Sequence, residues 1–361
     1  MSTTPMPTPR WVLHVDLDQF LAAVEVLRHP ELAGRPVVVG GRGIVTERAV
    51  VSTASYEARE FGIRSGMPLR TAFKKCPDAV FLPVDFPVYE AASAEVMATL
   101  RGLEWGGVPV VVEVLGWDEA FVAAGAGHGE LGDPLRFADE LRSAVLDATR
   151  LHISVGIGNN KLQAKIATDF GKPRGVFTIT DETWFDQMGA RPTRALWGVG
   201  ARIAGRLSRL GIETVRDLAA SDTRTLVDEF GPTMGPWFHR LGRGVDTGPV
   251  DATPWVARAH GHEETFQTDL EWPEVPDAVR TLTARALESI DREGRPAARV
   301  FLKIRYRNFF TLTRSRKLPE PTRDLDVLGE VAVGLLDKVE QDKPVRLLGV
   351  RLEMVPPEGG Y

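Results

Sequence analysis

The sequence predicts a multidomain α/β (α+β) protein. Short β-branched runs alternate with amphipathic helical segments through the first half of the chain, and residues 193–220 contain only short helical patterns. The last hundred residues contain strand patterns on both sides of one long helix. Because 361 residues are too many for one compact core, we expect two to four domains.

Composition excludes several classes of protein. No apolar run approaches the roughly 18 residues needed to span a bilayer, and residues 1–10 lack the apolar segment of a signal peptide. The single Cys76 excludes an intramolecular disulfide, and the seven histidines show no zinc-ligand spacing. We therefore expect a cytoplasmic monomer without a membrane partner or a zinc site.

The first predicted strand leads into an acidic pair. The largely aliphatic run 12–15 is typical of a buried strand, and it ends at Asp16 and Asp18. A helix follows over 19–27, with Asp18 placed to cap its start. Two carboxylates one residue apart either bind a divalent cation or only cap and solvate a turn.

The other elements follow from similar patterns. Asp118 and Glu119 lie at the start of a strand that forms a hairpin with the β-branched run 108–114. The loop Gly127–Gly132 matches the GxGxxG dinucleotide fingerprint, but it lacks the opening βαβ unit, and Asp133 explains it as a helix start. Further strands are predicted at 36–39, 49–51, 152–155 and 346–354, and further helices from 56, over 67–75, 89–103, 159–171, 276–293 and 325–339.

Positive charge is concentrated in two segments of an acidic chain. The net charge is −5, but residues 295–323 carry nine Lys and Arg against one acidic residue, and residues 191–216 carry six against one. Between 299 and 307 basic and apolar residues alternate, which places the cations on one face of a strand. Such patches favour an anionic polymer over a merely solvated surface. The residues predicted to contact it are Arg299, Lys303, Arg305, Arg307, Arg314 and Arg316.

Three carboxylates are candidates for metal binding. If the strands of Asp16 and of the pair Asp118 and Glu119 are neighbours in one sheet, the three groups meet at its edge, and such hard oxygen ligands suit Mg²⁺. Two Mg²⁺ ions about 3.5–4 Å apart, or Mn²⁺ in their place, would activate a hydroxyl and stabilise a leaving pyrophosphate. The side chains expected to hold a triphosphate are Tyr56, Arg59 and Lys172.

These residues together resemble the DinB branch of the Y-family translesion DNA polymerases. The resemblance covers nearly the whole chain after the first residues and rests on several motifs in order. The motifs are Val15-Asp16-Leu17-Asp18-Gln19-Phe20-Leu21, Ser55-Tyr56-Glu57-Ala58-Arg59-Glu60-Phe61-Gly62, Asp118-Glu119-Ala120, Gly156-Ile157-Gly158-Asn159-Asn160-Lys161 with Ala164-Lys165, Lys172-Pro173, and Gly198-Val199-Gly200. Ordered motifs are far more specific together than singly.

The resemblance implies a right-hand polymerase that acts on primer-template DNA and deoxynucleotides. The implied parts are a disordered tail (1–9), a ferredoxin-like palm (10–28 and 83–176), fingers (29–82), a helix-hairpin-helix thumb (177–243), a linker (244–254) and a little finger (255–355). The implied metal ligands are Asp16, Asp118, Glu119 and the backbone carbonyl of Leu17. The implied nucleotide contacts are Ser52, Thr53, Tyr56, Arg59 and Lys172, and the thumb contacts to DNA include Gly198 and Gly200.

Leu21 departs from the family pattern with a functional consequence. It falls where the resemblance places an aromatic steric gate against the sugar 2′-hydroxyl. Leucine is shorter than an aromatic ring and can rotate away, so we expect ribonucleotides to be accepted as well as deoxynucleotides. The alternative is that Leu21 fills the core and Phe20 supplies the gate.

Two further departures are smaller. Gly116-Trp117 precede Asp118 where the family usually has serine and an aliphatic residue, which affects local packing rather than the ligands. The ending 355–361 lacks the glutamine-led peptide with which the family docks on a sliding clamp, so weak or absent clamp binding through it is expected.

Two other functions remain open. A DNA-binding accessory protein would need only the thumb and the little finger. A nucleotide cyclase shares a palm-like sheet and paired-metal chemistry, but it needs neither the thumb nor the basic strand.

Overall fold

The structure, a computed structural model, describes residues 11–125 and 131–361. The tail predicted at 1–9 and most of the loop Gly127–Gly132 therefore lie outside the described residues. The chain divides into two compact units, one formed by residues 1–45 and 49–253 and the other by residues 46–48 and 254–361. Within the described ranges, no helix has the length and apolar character needed to cross a membrane.

The first unit combines mixed sheets with helices. Its strands are β1 (Val12–Leu17), β2 (Val37–Val39), β3 (Thr53–Ala54), β4 (Val80–Leu82), β5 (Glu104–Trp105), β6 (Val108–Val114), β7 (Glu119–Ala124), β8 (Ile153–Gly158) and β9 (Val176–Ile179). Its α-helices are α1 (Phe20–Arg28), α2 (Tyr56–Glu60), α3 (Leu69–Lys75), α4 (Phe86–Arg101), α5 (Pro134–Thr149), α6 (Lys161–Gly171), α7 (Trp184–Met188), α8 (Ala201–Arg209), α9 (Val215–Ala220) and α10 (Thr223–Gly242), the last broken at Gly231.

The main sheet is ordered β5-β6-β7-β1-β8-β9, with β1 antiparallel to both neighbours. Side chains alternate along β1, so Leu13 and Val15 enter a core with residues of α4 and α5 such as Tyr89 and Leu141. The intervening positions face α6 on the other side, where His14 Nδ1 lies 2.8 Å from Thr168 Oγ1. Asp16 is two residues after His14, so its side chain lies on the same face of β1, toward α6.

Two glycines of β8 set the distance between the sheet and α6. A Cβ added to Gly156 would lie 2.0 Å from the Ala164 carbonyl oxygen, and one added to Gly158 would lie 2.5 Å from the Ala164 nitrogen. The Gly-Ile-Gly motif thus allows α6 to lie directly on β8, which positions Lys165 of that helix beside Glu119.

We predict that Gly156→Ala lowers stability by about 3 kcal/mol, because a backbone carbonyl cannot rotate away from the added methyl as a side chain would. Gly205→Ala on α8 is the matched control, since a Cβ there meets no atom within 4 Å. It should be neutral or stabilising by up to about 1 kcal/mol. Denaturant midpoints of both variants measure the effect, and equal midpoints would contradict this account of the α6 packing.

A small sheet ordered β3-β2-β4 carries the segment between α1 and α4. The strand predicted at 49–51 is wrong: the strand that pairs with β2 is Thr53–Ala54. The physical reason is that Val51 exchanges backbone hydrogen bonds with the turn at Gly66 and Met67 instead of with β2. Ser55 then caps α2 by accepting the Ala58 amide hydrogen.

The second unit is a sheet with helices on one face. Its strands are β10 (Ala259–Leu270), β11 (Ala297–Tyr306), β12 (Thr311–Thr322) and β13 (Val345–Met354), and its α-helices are α11 (Val275–Glu293) and α12 (Leu325–Gly334). The order is β10-β13-β11-β12, all antiparallel. On β11, the apolar side chains that were predicted to face the core are buried. They are Val300, Leu302, Ile304 and Tyr306. The alternate positions of β11 form the open face of this sheet.

Candidate active site

The strand register brings the predicted carboxylates together. Asp16 and Glu119 are direct partners in the antiparallel pair β1–β7. Asp118 lies in the turn before β7, and its carbonyl oxygen accepts the Leu17 amide hydrogen with an N–O distance of 2.8 Å. All three acids therefore lie at one end of two adjacent strands, although a hundred residues separate them in the chain.

Lysines from α6 and the segment after it form ion pairs with two of these acids. Lys172 Nζ lies 2.8 Å from Asp16 Oδ2. Lys165 forms an ion pair with Glu119, and His14 Nε2 lies 3.3 Å from the same Glu119 oxygen. These cationic side chains thus fix the positions of the Asp16 and Glu119 carboxylates.

Burial and neighbouring charge shift the pKa values of these groups in opposite directions. Burial raises the pKa of Asp16, against the opposing effect of Lys172. Burial and the adjacent Glu119 raise the pKa of Asp118. The hydrogen bond with His14, followed by the ion pair with Lys165, lowers the pKa of Glu119 to about 2. Glu119 is therefore ionised at neutral pH, and extra positive charge would favour ionisation of the other two.

The carboxylate donors suit a hard divalent cation by their chemistry. In the part of the chain that the structure describes, no three His, Cys, Asp or Glu side chains are grouped to hold one metal ion. Carboxylate oxygens are the ligands that Mg²⁺ prefers, and a nearby cation would oppose the rise in the pKa values of Asp16 and Asp118. A divalent ion would replace the positive charge that Lys165 and Lys172 now supply.

Asp18 does not cap α1, so this prediction is wrong. The N-cap position is Gln19, with a φ of 46° and no side-chain capping bond. The buried Asp18 carboxylate instead accepts hydrogen bonds from Tyr56 Oη at 2.5 Å and from Ser154 Oγ at 2.9 Å. It also accepts the backbone amide hydrogen of Arg174 at 2.9 Å. Asp18 thus ties α2 to the main sheet.

The predicted triphosphate residues have defined positions. The Arg59 guanidinium carbon lies 5.0 Å from the centre of the Tyr56 ring, and Arg59 Nε donates to the Ala54 carbonyl oxygen. Burial and the bond to Asp18 raise the pKa of Tyr56, so its hydroxyl stays protonated and can donate. On the neighbouring segment Thr53 is half-buried and Ser52 is exposed.

A polar pocket adjoins the carboxylates. It measures about 240 Å³, and its lining includes Asp16, Lys165, Arg194 and Trp197. Trp197 precedes Gly198, whose φ of 85° suits a residue without a side chain. Gly200 is the N-cap residue of α8. The sequence did not indicate that His14, Arg194 and Trp197 lie near Asp16, because only the fold brings them together. Arg194 carried a signal only as part of the basic segment 191–216.

Comparisons with known proteins agree with this geometry. The impB/mucB/samB family profile matches residues 15–169, and the profile of that family's C-terminal domain matches residues 257–361. A profile described as the DNA polymerase-iota thumb domain matches residues 194–246. DNA polymerase IV 2 of Mycobacterium tuberculosis is 49% identical over 352 residues, covering 97% of this chain and 99% of the relative. The chain belongs to the DNA polymerase IV branch of the Y-family.

Solved Y-family structures share the fold. A Y-family DNA polymerase chimera of Dbh and Dpo4 superposes with a TM-score of 0.82 at 25% identity, covering 95% of this chain and 98% of the chimera. An insertion ternary complex of Dbh DNA polymerase superposes with a TM-score of 0.64 at 25% identity, covering 96% of this chain and 99% of Dbh. The predicted Y-family fold, with a thumb domain and a C-terminal little finger, is confirmed.

The two candidates for the gate of this Y-family polymerase differ in burial. Phe20 is 2% exposed and packs against Tyr89 at a ring-centre distance of 6.4 Å in the core under β1. Leu21 is half-buried and borders the same core. A ring held in the core cannot turn toward a bound nucleotide, so burial argues against the alternative in which Phe20 supplies the gate.

The basic residues of the polymerase's little finger do not all share one surface. Arg299, Lys303 and Arg305 lie on the open face of the sheet, opposite the buried positions of β11. Arg314 and Arg316 are register partners of the buried Leu302 and Val300, so they lie on the helix side. The expectation that these two arginines continue the same surface is wrong, because register partners share a face of the sheet and the partners of these arginines face the core.

Arg307 lies beyond the end of β11 in the β11–β12 turn. Its Nε lies 2.8 Å from Asp269 Oδ2 on β10, and the Asp269 side chain is buried. If Arg307 contacts a phosphate as predicted, its guanidinium would have to bind that phosphate and Asp269 at the same time.

Proposed function

We propose that the chain is a translesion-type, template-directed DNA polymerase that transfers a nucleotide to a primer 3′-hydroxyl. The observation that carries the proposal is the pairing of Asp16 with Glu119 across β1 and β7, with Asp118 beside them. Carboxylates that meet at one sheet edge supply the oxygen ligands that a phosphoryl transfer assisted by two metal ions requires.

The chain's own residues would divide the work. Asp16, Asp118 and Glu119, with the Leu17 carbonyl, would hold two Mg²⁺ or Mn²⁺ ions, which supply the Lewis acid that lowers the pKa of the primer hydroxyl and stabilises the pyrophosphate. Lys172 would exchange its ion pair with Asp16 for the triphosphate. The remaining nucleotide contacts in the proposal are Ser52, Thr53, Tyr56 and Arg59.

Leu21 would admit ribonucleotides. With leucine at the proposed gate position, no flat ring would lie against the 2′ position of the sugar. The half-buried Leu21 and the core position of Phe20 support this proposal. We therefore include both dNTPs and rNTPs among the substrates. No role in clamp docking is proposed for residues 355–361.

Duplex DNA would be held by phosphate contacts without sequence readout. The proposed contacts on the open face of the little finger are Arg299, Lys303 and Arg305, and the thumb would add the backbone of Gly198 and Gly200. Affinity from such contacts falls steeply with salt.

Metal removal tests this function. We expect the wild-type chain to extend a primer in Mg²⁺, to stop on addition of EDTA, and to resume with excess Mg²⁺ or Mn²⁺. Binding to primer-template DNA should survive chelation, since the proposed DNA contacts are cationic side chains and backbone. Retained binding with no extension under any metal would support the accessory-protein alternative, and turnover of nucleotide without a primer-template would support the cyclase.

A further inference from the structure

One acidic side chain lies across the proposed DNA-binding face of the little finger. Glu263 of β10, Gly349 of β13 and Lys303 of β11 form one row across three strands. Both carboxylate oxygens of Glu263 lie 2.8 Å from Lys303 Nζ. The carboxylate therefore reaches from β10 over β13 to a cation that is two strands away.

Gly349 makes this crossing possible. A Cβ at position 349 would lie 2.6 Å from Glu263 Cγ, so any larger residue would displace the glutamate. A hollow of about 370 Å³ opens at the same place, and its lining includes Phe301 and Arg351. Gly349 thus leaves room for the Glu263 carboxylate to contact Lys303, while the lysine side chain stays partly accessible to solvent.

The other cations of this face have less complete partners. Arg299 and Arg351 lie over the Phe301 ring, with their guanidinium carbons 5.9 and 4.1 Å from its centre. Arg299 Nε is 3.9 Å from the nearest Glu353 carboxylate oxygen. On the face that we propose to bind DNA, Lys303 is therefore the cation with the tightest carboxylate partner among these residues.

The Glu263–Lys303 pair is poorly suited to stabilise the fold. The Glu263 side chain is 48% exposed and that of Lys303 is 31% exposed, and ion pairs at such sites contribute little to folding. A bidentate carboxylate on an exposed lysine resembles, in charge and geometry, the phosphate that the lysine would otherwise bind.

We propose that Glu263 competes with DNA phosphate for Lys303 and so weakens the grip of the little finger on the duplex. The proposal rests on the proposed function of this open face. Its consequence is shorter binding events, and hence fewer nucleotides added each time the polymerase binds a primer.

The experiment compares two variants at neighbouring positions, Glu263→Gln and Glu264→Gln, each of which replaces a carboxylate by a neutral amide. Glu264 pairs with Arg285 of α11 at 3.3 Å, on the helix side of the same strand, so both changes remove one negative charge and one ion pair. Fluorescence anisotropy with a labelled primer-template gives Kd at several salt concentrations. Primer extension in the presence of a DNA trap gives the number of nucleotides added per binding event.

We expect Glu263→Gln to tighten binding about fivefold at low salt and to lengthen the products of single binding events. One freed cation should steepen the slope of log K against log salt by about 0.9, so the gain shrinks about threefold between about 50 and 200 mM salt. Glu264→Gln should stay within about twofold of wild type. In a Lys303→Gln background, Glu263→Gln should lose most of its effect.

A variant with both Arg299→Gln and Arg305→Gln separates the possible failures. If it binds DNA more weakly while Glu263→Gln binds as wild type, the competition by Glu263 is refuted and the DNA-binding face stands. If neither change alters affinity, the DNA-binding face is refuted as well. Equal tightening by Glu264→Gln would reduce the effect to net charge and also overturn the proposal. Thermal unfolding checks that each variant folds.

Discussion

Asp118→Asn is expected to reduce primer extension by at least about a thousandfold, which corresponds to roughly 4 kcal/mol of lost transition-state stabilisation. The asparagine keeps the shape of the turn before β7, but it supplies a neutral amide where the proposed metal site needs an anionic oxygen. Affinity for primer-template DNA should not fall, because Asp118 repels phosphate rather than binding it. Single-turnover extension and anisotropy measure the two quantities separately.

Glu113→Gln is the matched control for this loss. Glu113 lies on β6, opposite Phe121 of β7. Its carboxylate forms an ion pair with Lys161 at 3.0 Å, and it is not one of the proposed metal ligands. The Glu113→Gln variant removes one negative charge from the same sheet. It should keep extension within a few-fold of wild type, because Glu113 is not one of the proposed metal ligands. Near-wild-type extension by Asp118→Asn would refute the assignment of the metal ligands.

Leu21→Phe should restore discrimination against ribonucleotides. A ring at the start of α1 would clash with a 2′-hydroxyl. A clash of about 3 kcal/mol corresponds to a change of about a hundredfold in selectivity. We therefore expect the ratio of kcat/KM for dNTP over rNTP to rise by about that factor, mainly through slower rNTP incorporation. Steady-state single-nucleotide incorporation with matched dNTP and rNTP measures this ratio.

Leu27→Phe provides the same substitution at an exposed position on the same helix, where the leucine is 46% exposed. It should leave the selectivity ratio unchanged. If the wild-type chain already discriminates strongly against rNTPs, Leu21 is not an open gate, and another residue must contact the sugar.

The fold and the meeting of the three carboxylates at one sheet edge were predictable because local patterns determine them. Alternating burial fixes which face of β1 carries Asp16, and the acidic residues at the strand ends indicated one sheet edge. The glycines of β8 belonged to the motifs that carried the family resemblance. The structure adds their physical role, which is to bring α6 against the sheet.

Side-chain partnerships distant in the chain were not predictable. The assignment of Asp18 as a cap failed because its oxygens bond to Tyr56 and Ser154, and no local pattern encodes a contact over 136 residues. The placement of Arg314 and Arg316 failed because a shift of one residue reverses the face of a strand. Leu318 lies on the same face of β12 as Arg314 and Arg316 and is buried. This apolar residue was the signal that could have placed the two arginines on the helix side.

Template-directed incorporation by the wild-type chain tests the central claim most directly. On four primer-templates that differ only in the templating base, with Mg²⁺ and one nucleotide at a time, we predict addition of the complementary nucleotide in each case. Both the deoxy and the ribo form should be used. Absence of incorporation, or incorporation that does not depend on the templating base, would contradict the assignment of Asp16, Asp118 and Glu119 to DNA synthesis.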